Sequence, residues 1–199
     1  MFFRFIYFVA APFFKLLYRI KITGKENIPK GSSVVCANHT SMLDPIFLAI
    51  AFGISENWLF MGKAELFKIP GLNWLIRSLG AIPVNRGATD ISTLRNAIDA
   101  LKGGKKVMIF PEGTRVKDGD DAASVKTGAA MIASRGGATM MPVFISGNKK
   151  LFGKVKVVIG KPVSTDIEEK GQAKYRILSD AVFDEVMRLG SEGEASGGN

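Results

Sequence analysis

The regular alternation of short apolar runs with segments of helical length limits this chain to few folds. Runs of β-branched and aliphatic residues recur at 33–37, 58–61, 81–84, 106–110, 139–145 and 155–159. Each has strand length and is bounded by polar residues, Gly or Pro, which reads as a buried strand. Between them, segments 46–52, 72–78, 91–101, 125–134 and 173–189 carry helical spacing. Strand and helix in turn predict an α/β layered sandwich with a mixed, largely parallel central sheet flanked by helices. A length of 199 residues, 47% of them apolar, suits one such domain with a substantial core. Ligands of these sheets collect outside the carboxyl ends of the strands. The residues that follow each run are therefore the ones to read for chemistry.

After the first run comes ANHTSMLDP, residues 37–45, with the only histidine of the chain, His39, and an aspartate five positions on. Asp44 before Pro45 is a good helix start, with Asp as N-cap and Pro at the first helical position. Taken alone, His39 is a hydrogen-bonded loop histidine. On a continuous helix, residues five apart point about 140° away from each other, so His39 and Asp44 meet only across a loop. Asn38, Thr40 and Ser41 are polar enough to form it. A carboxylate on one imidazole nitrogen fixes the tautomer and makes the other nitrogen a base for a hydroxyl.

Two further strand ends carry arginine. FPEGTR, residues 110–115, closes the fourth run, and GAIPVNR, residues 80–86, contains the third. By itself the first is a turn followed by a solvated cation. Beside a base, Gly113 lets backbone approach a ligand closely and Arg115 offers a fork suited to phosphate. Arg86 ends the other stretch in the same way. His39, Arg86 and Pro111 each follow a run, so three polar loops are expected at one edge of the sheet.

NHTSMLD resembles the H-x4-D motif of the glycerolipid acyltransferase family, the 1-acylglycerol-3-phosphate (lysophosphatidic acid) acyltransferases. GAIPVNR, FPEGTR and MMPVFI, residues 140–145, resemble its second, third and fourth blocks in the same order. The resemblance covers about residues 20–165, and FPEGTR is its specific part. Met140 and Met141 stand where a Val or similar residue is common. The resemblance implies transfer of a fatty acyl group from an acyl carrier protein or coenzyme A thioester to the free hydroxyl of lysophosphatidate, giving phosphatidic acid. It implies His39 as base, Asp44 as its orienting partner, and Arg86 and Arg115 on the acceptor's phosphate. Glu112 and Gly113 would shape the acceptor site, with Lys63 and Lys126 as further phosphate contacts or plain surface lysines. No metal or resident cofactor is implied, and the thioester is a co-substrate. Glycerol 3-phosphate or another lyso-lipid is the competing acceptor.

Charge and the first residues fit a lipid partner. The balance of 27 basic against 18 acidic side chains, +9 overall, suits an anionic surface or substrate. Nucleic acid shares that preference, but the basic residues are dispersed and no recognition motif is present, so no nucleic acid is expected. Residues 1–20 are the most apolar stretch, yet the uninterrupted run 5–14 is too short to span a bilayer. As one helix, 1–20 gathers Arg4, Lys15 and Arg19 within about 60°, the form of an interfacial anchor. A core helix with snorkelling cations is the alternative. Expected divisions are this anchor, an acyltransferase domain over 21–190 and a disordered tail over 191–199. The expected place is the cytoplasmic face of the cell membrane, peripheral or monotopic. Residues 66–80 mix large apolar side chains with Lys68 and Arg77, and read equally as buried or as lining an acyl groove. One cysteine, Cys36, excludes an intramolecular disulfide and, with one histidine, a zinc site of the Cys/His type. Its place three residues before His39 raises a thioesterase-like acyl-enzyme as a rival mechanism. A lipid-binding protein without turnover is the other rival.

Overall fold

Seven strands form one sheet in a computed structural model that describes residues 11–53, 58–78, 80–84, 91–111, 127–147 and 149–195. They are β1 (Arg19–Thr23), β2 (Ser33–Ala37), β3 (Trp58–Lys63), β4 (Ala81–Val84), β5 (Lys106–Ile109), β6 (Thr139–Gly147) and β7 (Lys154–Ile159). Their order is β1-β7-β6-β2-β5-β3-β4. β6, β2, β5, β3 and β4 run parallel. β7 is antiparallel to β6 and β1 is parallel to β7, so two edge positions oppose the rest. The sheet is mixed and largely parallel, as the alternation of runs predicts.

Helices cover both faces. They are α1 (residues 11–17 of the described chain), α2 (Asp44–Phe52), α3 (Leu72–Ser78), α4 (Ile91–Lys102), α5 (Gly128–Gly136) and α6 (Gly171–Ala195). Every residue of β2 is buried, which is why SVVCA is apolar at almost each position instead of alternating. Val35 and Ala37 pack with Phe47, Leu48 and Ala51 of α2. Val34 and Cys36 point the other way, among Leu101 of α4, Ala130 and Ala133 of α5, and Leu178 and Val182 of α6. Met140 and Met141 of β6 are fully buried, one in each of these two cores. The unbranched, polarisable Met side chain adapts to either. Lys106 is also buried at the start of β5, and its Nζ donates to the carbonyls of Pro29 and Gly31 at 2.9 Å each.

The boundaries differ from expectation at both ends. The N-terminal helix stops at residue 17, and Arg19 and Ile20 belong to β1, a strand the sequence pattern does not mark. RIKIT alternates outward Arg19 and Lys21 with inward Ile20 and Ile22, a short period-2 signal masked by the aromatic run before it. Arg19 therefore does not sit on the cationic stripe of one continuous helix. At the other end α6 runs through Ala195, into the stretch expected to be a disordered tail. Arg188 forms ion pairs with Glu185 and Glu192 one turn either way, which carries the helix past Gly190.

Among the described residues no helix is long and apolar enough to cross a membrane. The stretch 66–80 is neither wholly buried nor wholly open. Phe67 is buried under the Arg77 guanidinium, 5.2 Å from its ring centroid, whereas Ile69 and Trp74 are exposed.

Candidate active site

β2 ends at Ala37, and the next six residues form a tight loop before α2 begins at Asp44. Asn38 anchors the loop. Its buried amide donates Nδ2–H to the Ile145 carbonyl at 3.0 Å and accepts from the Ile145 N–H at 2.7 Å, so it extends the β2–β6 pairing past the last strand residue. The loop then turns His39 toward Asp44, whose carboxylate points back along the chain. Asp44 Oδ2 accepts from the Thr40 N–H at 2.8 Å and the Ser41 N–H at 2.7 Å, and lies 3.1 Å from His39 Nδ1.

This corrects the N-cap reading of Asp44. It is the first residue of α2, the N-cap is Leu43, and its side chain serves the N–H groups before the helix instead of those within it. Pro45 still falls in the first turn, where its missing N–H costs nothing.

A residue with no signal in its local sequence completes the cluster. Lys149, just beyond β6, donates Nζ–H to Asp44 Oδ1 at 2.7 Å and to Thr40 Oγ1. It lies 105 positions from Asp44, and the parallel pairing of β6 with β2 is what brings the two strand ends together. Gly147 makes the exit from β6 feasible: its φ is +97°, and a Cβ there would lie 2.2 Å from the Lys154 carbonyl oxygen.

The Asp44 side chain is fully buried, and those of His39 and Lys149 are each 12% exposed. Burial pushes the Asp44 carboxyl up, but hydrogen bonds from His39, Lys149 and Ser41 and the Lys149 charge outweigh it. The net effect holds the group below the usual carboxylate range. Asp44 is thus a fixed anion. With the proton on Nδ1 facing Asp44, the imidazole carries its basic lone pair on Nε2.

The His39 ring stacks on Phe110, with centroids 4.0 Å apart and planes 19° from parallel. Phe110 opens FPEGTR, so the β2 and β5 loops do converge at one edge of the sheet. Arg86, Glu112, Gly113, Arg115 and Lys126 lie outside the described residues. The strands preceding Arg86 and Arg115, β4 and β5, are not neighbours, because β3 lies between them. All three run parallel and end at the His39 edge, and Lys63 is the last residue of β3.

Cys36 is far from any catalytic state. It is fully buried on the face opposite α2, its Sγ sits 3.8 Å from the Val34 carbonyl, and burial pushes its thiol up to about 12. A thiol so held supplies almost no thiolate at neutral pH. Cys36→Ala is expected to leave the chemistry at His39 unchanged at a stability loss of about 1 kcal/mol. A rate assay beside a urea melt checks this, and loss of turnover in folded protein would restore the acyl-enzyme route.

Known proteins share this architecture and sequence. The profile of the Acyltransferase family matches residues 19–146. A chloroplastic 1-acyl-sn-glycerol-3-phosphate acyltransferase of Arabidopsis thaliana is 33% identical over 73% of this chain and 44% of its own length. The 1-acyl-sn-glycerol-3-phosphate acyltransferase of Bacillus subtilis is 33% identical over 72% of this chain and 73% of its own. The chain thus spans under half of the plant relative and almost three quarters of the bacterial one. The crystal structure of the 1-acyl-sn-glycerophosphate acyltransferase PlsC from Thermotoga maritima superposes with a TM-score of 0.65 at 35% identity, covering 85% of this chain and 71% of that one. A profile spanning most of the chain, joined to identity above 30% over most of a bacterial relative, places this chain in the Acyltransferase family.

Proposed function

We propose that this protein transfers a fatty acyl group from an acyl carrier protein or coenzyme A thioester to the free hydroxyl of 1-acylglycerol 3-phosphate, forming phosphatidic acid. The observation that carries the reading is the His39–Asp44 pair at the carboxyl edge of the sheet, its buried Asp44 carboxylate held in turn by Lys149. The names of the relatives supply the acceptor.

In this mechanism His39 Nε2 takes the proton of the acceptor hydroxyl as its oxygen attacks the thioester carbon. The buried Asp44 carboxylate orients the ring and stabilises the imidazolium that forms. The tetrahedral oxyanion then collapses, the carbon–sulfur bond breaks, and the thiolate leaves with the proton returned from His39. The amides of Thr40 and Ser41 already donate to Asp44, so the oxyanion takes its donors from other backbone or side chains. Arg86 and Arg115 would grip the acceptor's phosphate, with Lys63 and Lys126 beside them and Glu112 and Gly113 shaping its site. No metal or resident cofactor is needed. The protein would work from the cytoplasmic face of the membrane, where its acceptor resides.

The test is acyl transfer from both thioesters in detergent micelles, read as phosphatidate formed from lysophosphatidate or as lysophosphatidate formed from glycerol 3-phosphate. Product that requires lysophosphatidate is expected. Product with glycerol 3-phosphate alone would reassign the acceptor, and no product with any pair, from folded protein, would favour a lipid binder without turnover.

A further inference from the structure

The reversed strands β1 and β7 have a consequence for the surface around the site. Because they oppose the other five, their amino ends lie at the edge where β2 and β6 end. The segments that precede them, α1 and the β6–β7 turn, are thereby brought to the edge that holds His39 and Asp44. They are also bonded to each other. The Phe152 N–H donates to the Leu17 carbonyl at 2.7 Å, and the Arg19 N–H to the Gly153 carbonyl at 3.0 Å.

Side chains on this joined surface are apolar where solvent should favour polar ones. α1 buries Ala11 and packs Phe14 and Leu17 onto the core, but turns Phe13 and Leu16 outward, 58% and 75% exposed. Leu151 and Phe152 at the tip of the turn are 58% and 61% exposed. Phe152 has φ +63° and is the only non-glycine residue with positive φ among the described residues. Bulky residues avoid that region, where Gly or Asn fits at lower cost, so fold stability does not explain a Phe there. The same segments, α1, β1 and the start of β7, carry exposed Lys15, Arg19, Lys21 and Lys154. The β1–β7 register sets Arg19 beside Lys154, like charges on adjacent strands that gain nothing from their pairing. The sequence has no Asp or Glu in residues 1–25 or 122–165.

We propose that the Leu151–Phe152 turn is a membrane wedge that, with Phe13 and Leu16, docks the active-site edge onto an anionic bilayer while the surrounding cations meet lipid phosphates. Apolar tips within a cationic rim match the acyl and headgroup layers in turn. Lys149 ties the wedge to the chemistry, since it holds Asp44 two residues before Leu151. Insertion of the turn would therefore bring the edge that holds His39 and Asp44 to the lipid surface. The proposal rests on the functional reading above only for that delivery, because docking is measured without turnover.

The experiment is flotation of the full chain with phosphatidylcholine vesicles with and without phosphatidylglycerol, comparing wild type with Leu151→Ser/Phe152→Asn. Asn accepts the left-handed conformation, so this variant is expected to melt at or above the wild-type temperature. Its partitioning onto the anionic vesicles is expected to fall by about tenfold or more, as removal of two inserted apolar side chains implies. Turnover of a freely dissolved short-chain lysophosphatidate should stay unchanged, while turnover of vesicle-embedded acceptor falls. Leu151→Glu, which leaves the Phe152 backbone alone, should show the same loss of partitioning. Unchanged partitioning of both folded variants would overturn the wedge, as would wild-type binding indifferent to phosphatidylglycerol. Should wild type prove inactive on every acceptor, the vesicle comparison still decides docking and the failure belongs to the functional reading.

Discussion

Replacing Asp44 by Asn should lower acyl transfer by about 10²–10⁴-fold, because the neutral amide neither fixes the His39 tautomer nor stabilises the imidazolium. Stability should fall as well. Asp44 accepts two backbone N–H groups and a lysine in a fully buried position, and hydrogen bonds to a charged group contribute about 1.5–3 kcal/mol. The pH dependence gives this prediction its sign. The folded carboxyl is held below its ordinary value, so its stabilisation is fully present above the unfolded value of about 3.9 and is lost as pH falls through the lower folded one. Denaturant melts between neutral and strongly acidic pH should show wild type losing more stability than Asp44→Asn over that window. Parallel curves would mean that Asp44 is not the anion the geometry describes.

His39→Ala should lose about 10²–10⁴-fold in turnover, the usual contribution of a positioned base, with its fold intact. The substitution forfeits the stack on Phe110, worth about 0.5–1.5 kcal/mol for an aromatic pair. It leaves Asp44 with Lys149, Thr40 and Ser41 as partners, so no buried anion is stranded. Vesicle partitioning should be unchanged, since the docking surface does not include the ring. Activity and membrane association are therefore separable by two variants, His39→Ala on one side and Leu151→Ser/Phe152→Asn on the other.

Local patterns were enough for much of the architecture. β2, β4 and α3 fall on the residues their spacing indicates, because each is a self-contained apolar run with a sharp polar or glycine boundary. β1 is not legible, since RIKIT follows directly on a helix-forming aromatic segment and its partner in the sheet, β7, lies over a hundred positions away. The His39–Asp44 contact was legible because both partners lie in one loop. Lys149 and Asn38 were not. Their roles depend on β6 lying beside β2, which neither side chain announces in its own neighbourhood. The direction of the Asp44 carboxylate is not legible for a related reason: Asp-Pro at a helix start looks the same whether the side chain caps the helix or faces the loop.

In this mechanism His39 removes the proton of the lipid hydroxyl. The most direct measurement of that step is the initial rate of phosphatidate formation from an acyl thioester and lysophosphatidate, for wild type and His39→Ala at equal concentrations of folded protein in the same micelles. Product from wild type is expected to depend on lysophosphatidate and to fall at least about a hundredfold in the variant. A variant rate within a few-fold of wild type would contradict it and move the base elsewhere on the chain.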